Sequence, residues 1–270
     1  MTAVVSTAIV SAIPAPAKSE RSAWVKGDHS ELRLIHAGTA NDGALIAGIE
    51  IRLDPDWKTY WRYPGDSGIP PRFDFSASKN VASVEVHYPA PVRFEDSGGQ
   101  SIGYKIDVIF PLTVTPRDPE APVILNGLID YAVCANICIP VFAESELDLS
   151  EAPRDSDTLR VQSFLDTVPG RLPEGDARGI VAVSVDPEAV PPALTLVADF
   201  GDGTSAPDLF VEGPMRWYVG LPEPVGVCET GLCTFGLDLY GVEAEAVSGA
   251  ELTVTGVSSR FSFEQVLALP

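Results

Sequence analysis

Histidine, methionine and basic residues are scarce in this chain, and each shortage excludes a class of function. Three His stand at positions 29, 36 and 87, and only two Met occur in 270 residues. The His lie on separate strand-like segments, so no nucleophile–base set can be assembled around them. Each reads as a satisfied surface or edge residue. Two Met argue against a thioether copper site. Lys and Arg total 18 against 38 Asp and Glu, a formal net charge of −20. Phosphate contacts need Lys and Arg in excess, so no nucleic-acid partner is expected. The acid excess reads as a soluble, self-repelling surface rather than a binding tail. A phosphate loop is missing too: Gly98-Gly99 sits in Glu95-Asp-Ser-Gly-Gly-Gln100, without the Lys and following helix that such a loop requires. Past the first residues no stretch approaches about 18 apolar positions, so no membrane span is expected. No metal, cofactor or small-molecule substrate is expected.

What is present is enough apolar matter for real cores, 45% of residues, in a length that suits one large or two ordinary domains. The four cysteines fall into two close pairs, Cys134-Ala-Asn-Ile-Cys138 and Cys228-Glu-Thr-Gly-Leu-Cys233. Fully extended strand would set Cys134 and Cys138 about 13 Å apart at roughly 3.3 Å per residue. A disulfide wants its Cα atoms at roughly 4.4–6.8 Å. If the pair bonds, the chain must turn between the cysteines, and Asn136 suits a turn with left-handed backbone. Such a small ring stabilises little: about 2 kcal/mol for about five residues in the chain-entropy model, against about 4.7 for a hundred. Three readings stay open for Cys134 and Cys138. They could be a local strut, an incomplete metal set of two thiolates without His, or a redox-active pair, since a tight exposed ring is the kind that exchanges. For Cys228 and Cys233 the favoured reading is a structural loop staple, with Gly231 supplying the turn. Each close pair needs only a local turn, so pairing is expected within the pairs and not between them.

The first residues, Thr2 to Ile13, form a short apolar run, and Ala15-Pro16-Ala17 follows as a small-residue cleavage pattern. Residues 1–17 therefore read as the remnant of a secretory signal, although a basic leading segment is missing. Export suits paired cysteines, which persist in oxidising compartments. From Glu31 to Ser150 short alternating segments, such as Ala44–Leu53 and Val123–Tyr131, are separated by Gly, Pro and Asp turns and predict an antiparallel sandwich. Asp155–Val168 predicts one short helix with Asp155 or Ser156 as cap, Leu159, Phe164 and Val168 on one face, and Pro169-Gly170 as its stop. Strand signals resume from Ile180 to Phe263. The expected organisation is a first sandwich over 28–150, a linker with a short helix over 151–179, and a second, smaller sandwich over 180–270.

With these segments in order, the first half resembles the N-terminal periplasmic domain of the DsbD family of thiol–disulfide interchange proteins. The resemblance covers roughly residues 28–150. It rests on the aromatic strand Trp57-Lys-Thr-Tyr60-Trp61-Arg-Tyr63, the Tyr88-Pro-Ala-Pro-Val-Arg-Phe94 turn, the Gly103-Tyr104…Phe110-Pro111 strand, and the two-cysteine segment followed by Pro140. The whole chain is similar to the ectodomain of the ScsB-like copper-tolerance branch or to a free-standing relative. The resemblance implies two immunoglobulin-like, all-β domains in the periplasm. It implies that Cys134 and Cys138 carry a protein-disulfide reductase activity, taking electrons from a membrane-embedded DsbD/CcdA-like donor and passing them to thioredoxin-like periplasmic proteins. Tyr60, Trp61, Phe94, Tyr131 and Pro140 would shield the pair or meet the partner.

Two features depart from the family pattern. The family's cap loop carries an aromatic over its cysteines, whereas the matching loop here, 94–100, has Ser97 or Gly98 at that place, so that Phe94 or Tyr60 would substitute. The usual cysteine spacing is also longer than the three intervening residues here. Cys138 is taken as the attacking residue. Glu229 lies inside the second ring, where a like charge would raise a neighbouring thiol's pKa and slow attack. The second class of function kept beside this one is a periplasmic interaction or assembly module with two structural disulfides.

Overall fold

The computed structural model describes residues 21–96, 99–173 and 175–270. The expected signal remnant at 1–17 lies outside them, as do Ser97 and Gly98. The described residues are all-β apart from one α-helix and one 3-10 turn. In chain order the strands of the first half are β1 (Val25–Gly27), β2 (Ser30–Thr39), β3 (Leu45–Leu53), β4 (Lys58–Gly65), β5 (Arg72–Asp74), β6 (Val81–Val86), β7 (Val92–Asp96), β8 (Gly99–Tyr104), β9 (Val108–Pro116), β10 (Ile124–Cys134) and β11 (Cys138–Asp148). The helix α1 spans Asp155–Leu165. After it come β12 (Gly170–Arg171), β13 (Gly179–Asp186), β14 (Ala193–Asp199), β15 (Asp208–Glu212), β16 (Tyr218–Val219), β17 (Glu223–Pro224), β18 (Leu232–Tyr240), β19 (Glu251–Val257) and β20 (Ser262–Ala268).

Two sheets face each other in the first half. One runs β1-β2-β3-β9-β6, the other β11-β10-β4-β8-β7 with β5 added to β10. A period of two residues sorts the side chains. On β10, Leu125, Ile129, Tyr131 and Val133 enter the core, while Leu128 and Asp130 face outward. Across it Ala143 and Leu147 of β11 enter and Phe142, Glu144 and Glu146 stay out. β2 breaks the alternation, with Leu32 through Ala37 buried on both faces. Its outer face is covered by α1: Val161 packs with Ile35, Ala37 and Ile109.

The helix is thus docked on β2 and β9, and its apolar face agrees with the expected one at Phe164 but not at Leu159. Leu159 is exposed, and the residues turned to the sheet are Val161, Asp157 and Phe164. Asp157 can be buried because Arg21 reaches both of its carboxylate oxygens, at 2.5 and 2.6 Å. Glu50, fully buried on β3, is likewise held between Arg33 at 2.7 Å and Arg160 of α1. The expected side-chain cap is absent: Arg154 precedes the first turn without a capping hydrogen bond.

The second half repeats the plan on a smaller scale, with β12-β20-β19-β15 against β13-β14-β18-β16, and β17 on β18. Its cluster runs from Ile180 to Leu269 around Leu196, Phe235 and Phe263. β15 serves both halves. Leu209 and Val211 point into the second cluster, whereas Phe210, one residue out of phase, joins the first, its ring centroid 5.8 Å from that of Trp61.

Polar anchors surround this seam. Arg62 of β4 pairs with Glu212 at 2.7 Å and Glu264 at 2.6 Å. Arg93 of β7 pairs with Asp208 at 2.7 Å and donates to the Pro222 carbonyl at 2.8 Å. The Tyr63 hydroxyl donates to the Val219 carbonyl, and Tyr218 donates to Asp66. Both strands that anchor the second half, β4 and β7, also carry residues of the site described next.

Candidate functional site

β10 and β11 form a long antiparallel hairpin, in register from Ile124↔Asp148 to Cys134↔Cys138. The two cysteines are therefore the last cross-strand pair before a three-residue loop, Ala135-Asn136-Ile137. Opposed residues at a hairpin end come within disulfide reach without strand distortion. Here the Cα atoms are 4.2 Å apart and the sulfurs are bonded. The turn does not use Asn136 as expected, since it is not among the residues with positive φ. The loop is closed instead by the Ala135 amide donating to the Ile137 carbonyl at 3.1 Å.

The two sulfurs sit in different surroundings. Cys134 is 1% exposed and packs with Tyr60, Phe94 and Ala132 in a small cluster on the outer face of the sheet. Cys138, one strand further out, is exposed. The Tyr60 hydroxyl lies 3.4 Å from the Cys138 sulfur. β4 joins β10 at its end, through Val133↔Thr59 and Cys134↔Lys58, which brings Tyr60 to the disulfide.

Two glycines make the cover possible. Gly103, opposite Tyr60, sits so close that an added Cβ would stand 2.1 Å from the Thr59 carbonyl oxygen. Gly68 lies flat against the Tyr60 ring, where a Cβ would come within 2.5 Å of it. The Pro64–Gly68 turn thus buries Tyr60 completely. Phe94 lies beside it on β7, reached by Lys58 at 4.7 Å and Lys105 at 5.2 Å from the ring centroid.

Of the residues expected to shield the pair or meet a partner, Tyr60 and Phe94 are at the disulfide. Trp61 and Tyr131 are not. Each is one residue out of phase with the outer face and therefore points into the core, Trp61 against Phe210 and Tyr131 with its hydroxyl 2.8 Å from Ser30. Pro140 lies opposite Ala132, exposed, on the same face as Cys138. Ile137 and Phe142 are 65% and 74% exposed on either side of it, so the end of β11 that carries the exposed Cys138 presents apolar side chains. Sequence reading missed both, and also Lys58 and Lys105. The outward phase of β11 was the available signal for Phe142. Lys58 has no such signal, because its neighbour Cys134 is 76 positions away and only the register of β4 on β10 joins them.

The second disulfide, Cys228–Cys233, closes a tight turn in which Thr230 and Gly231 both have positive φ. Such a turn matches the twist of its flanking strands. Gly231 is packed against backbone: a Cβ would stand 2.2 Å from the Gly201 oxygen, and its carbonyl accepts from Phe200 at 2.9 Å. Cys233 belongs to the second core and Cys228 is exposed. Burial alone thus does not separate the two bonds. The lysines over Phe94 and the hydroxyl beside Cys138 are specific to the first.

The His are committed to local contacts. His29 bonds Asp54 and stacks on Trp57, His36 bonds the Glu151 carbonyl, and His87 bonds Thr113. Among the described residues no helix is long and apolar enough to cross a membrane.

Comparison with known proteins adds two findings. A family model described as "Thiol:disulfide interchange protein DsbD, N-terminal" matches residues 32–150. Among solved structures the chain is similar to the N-terminal periplasmic domain of ScsB from Proteus mirabilis, with a TM-score of 0.74 over 93% of this chain and 98% of that one, at 23% identity. No curated protein sequence matches.

Proposed function

We propose that residues 32–150, which form a DsbD N-terminal-like domain, exchange electrons with partner proteins through the Cys134–Cys138 disulfide, and that Cys228–Cys233 is structural. The observation that carries this reading is the Tyr60 hydroxyl 3.4 Å from the Cys138 sulfur, at a bond whose Cys134 is buried with Tyr60 and Phe94 while Cys138, Ile137, Pro140 and Phe142 are exposed. Exchange needs in-line access to one sulfur and a good leaving group in the other. That arrangement makes Cys138 the sulfur that bonds to partners and Cys134 the leaving and resolving residue.

In the accepting direction, a thiolate of a membrane-embedded donor attacks the Cys138 sulfur. The Cys134–Cys138 bond breaks, its electron pair stays on Cys134 as a thiolate, and a mixed disulfide forms. The donor's second thiolate attacks its own sulfur in that bond and releases Cys138 as a thiolate. The domain has gained two electrons and the donor has closed a disulfide. In the passing direction, the Cys138 thiolate attacks the disulfide of a thioredoxin-like protein. Cys134 then attacks Cys138 in the mixed disulfide, restoring the internal bond and releasing the reduced partner. The setting is the periplasm, where free disulfides persist. The shield matters because a small ring that exchanges readily is also open to adventitious thiols, and burial of one sulfur confines attack to the other.

The test compares two double variants. Cys134→Ser with Cys138→Ser should abolish disulfide transfer to and from a thioredoxin-like protein, followed by gel shift. Cys228→Ser with Cys233→Ser should retain most of it. Equal loss from both, or loss only from the second, refutes this reading and favours an interaction module held by two struts.

A further inference from the structure

Within the interchange reading above, on which this inference rests, we propose that Asp66 and Tyr218 are positioning residues of the site: their hydrogen bond fastens the turn that presses Tyr60 onto the disulfide, so the second half governs how readily that bond is reached. Tyr60 pairs with Gly103 and Gly65 with Ser101, so five steps along β4 (60 to 65) answer two along β8 (103 to 101). The residues between leave the ladder, and the segment they begin runs to the second half. Arg62 reaches Glu212 and Glu264, the Tyr63 hydroxyl donates to the Val219 carbonyl at 2.6 Å, and the Tyr218 hydroxyl donates to Asp66 at 2.6 Å.

The turn then comes back against Tyr60. At Gly68 an added Cβ would stand 2.5 Å from the Tyr60 ring, so no space separates ring and turn. Asp66 is tied to the neighbouring hairpin as well. Its second carboxylate oxygen accepts from the Gln100 amide at 3.0 Å, and its own amide donates to the Gln100 carbonyl at 2.9 Å. The Gln100 side chain accepts from Arg93 at 2.9 Å, and Arg93 directly precedes Phe94. One carboxylate thus links β16 to the turn behind Tyr60 and to the β7–β8 hairpin that carries Phe94, the two rings packed with Cys134.

Among these links the Tyr218 bond is the one open to release. Arg62 is held by two carboxylates at once, and Trp61 beside it is buried against Phe210. Asp66 and Tyr218 are both exposed and line an open cleft of about 690 Å³ between the halves. The hydroxyl donates throughout the neutral range, because the Tyr218 pKa is pushed up to about 12, chiefly by this bond. While the bond holds, Tyr60 stays 3.4 Å from the Cys138 sulfur. When it opens, the turn gains freedom and the ring with it. A small thiol brings no surface of its own to move the ring, so its rate of attack reads the state of this fastening.

The test reduces the full chain with dithiothreitol, quenches by alkylation and follows each disulfide separately by peptide mass. One dithiothreitol thiolate bonds to Cys138, and the electron pair of the broken bond stays on Cys134. The second dithiothreitol thiolate then closes its own ring and releases Cys138 as a thiolate. Tyr218→Phe keeps the ring and removes the hydroxyl, and it should speed this reduction about threefold to tenfold, the range of one hydrogen bond. Cys228–Cys233 in the same molecules should keep its rate. Asp66→Ala should also be faster, and adding Tyr218→Phe to it should bring no further gain. Asp66→Asn, which keeps an acceptor for Tyr218, should restore most of the parent rate. Tyr240→Phe, which removes a hydroxyl bonded to Asp238 within the second half, should change nothing. An unchanged Cys134–Cys138 rate in folded Tyr218→Phe overturns the inference. Equal acceleration of both disulfides overturns it too, since a general loosening of the fold would produce that. Failure of the interchange reading looks different: the unaltered chain would not exchange with a thioredoxin-like protein, whatever its rate with dithiothreitol.

Discussion

Replacing Arg62 by Met tests how the second half is held to the strand that covers the disulfide. Arg62 gives Glu212 a forked contact, at 2.9 Å from Nε and 2.7 Å from Nη2, and reaches Glu264 at 2.6 Å. Burial lowers the Arg62 pKa, but the two carboxylates outweigh it and raise it overall, so the guanidinium stays charged. Removing one partner of a fully buried ion pair costs about 3–5 kcal/mol, because the other charge is left unpaired. Here Glu212 and Glu264 keep 25% and 17% of their side-chain surface in water, and Arg171 stands 3.5 Å from Glu264. Both offset the loss, and the expected cost is about 2 kcal/mol.

The single change Glu212→Gln, which leaves Arg62 its second carboxylate, should cost about 1 kcal/mol. The double variant should cost little more than Arg62→Met alone, for an interaction energy of about 1 kcal/mol. Urea unfolding of the four proteins, followed by circular dichroism, completes the cycle. Additive costs, within about 0.3–0.5 kcal/mol, would refute a coupled anchor and reduce the contact to two independent surface charges.

Two further outcomes follow from the same structure. His36 and His87 both have pKa values lowered from 6.5, in each case chiefly by desolvation. The unfolded chain therefore binds more protons than the folded one just below about pH 6.5, so stability should be fully present above that value and fall as pH drops through it. A second loss should begin below 4.5, where Glu50 is held low by Arg160 and Arg33 against its own burial. Urea midpoints that do not change between pH values above and below about 6.5 would contradict the first part. Finally, residues 21–168 should fold alone, and residues 21–150 should be less stable by at least about 2 kcal/mol, since dropping α1 uncovers Ile35 and Ile109, removes Val161 and takes away a partner of Glu50. Equal melting of the two chains would show that the helix is dispensable, and an unfolded 21–168 would show that the first half does not fold without the second.

Local patterns were enough for the class of fold. Segments such as Ala44–Leu53 alternate because one face meets a core and the other meets water or a second layer, and that period is written in consecutive residues. The close spacing of each cysteine pair limited it to a small ring at a turn, since no longer path exists between residues so near in the chain. Phase and register were not legible in the same way. Tyr60 and Trp61 are adjacent aromatics, and nothing local says which turns toward the disulfide; the pairing of β4 with β10 decides it. The same pairing brings Lys58 to Cys134. The helix face was misread because Asp157 is buried by Arg21, a partner 136 positions away that no periodicity can announce. Nor does any local pattern single out Arg62 and Arg93 as anchors, since their carboxylate partners lie on β15 and β20. Residues near in sequence share a face through backbone geometry alone, whereas residues far apart share a site only after the sheets have packed, and the chemistry proposed for this chain depends on the second kind of neighbour.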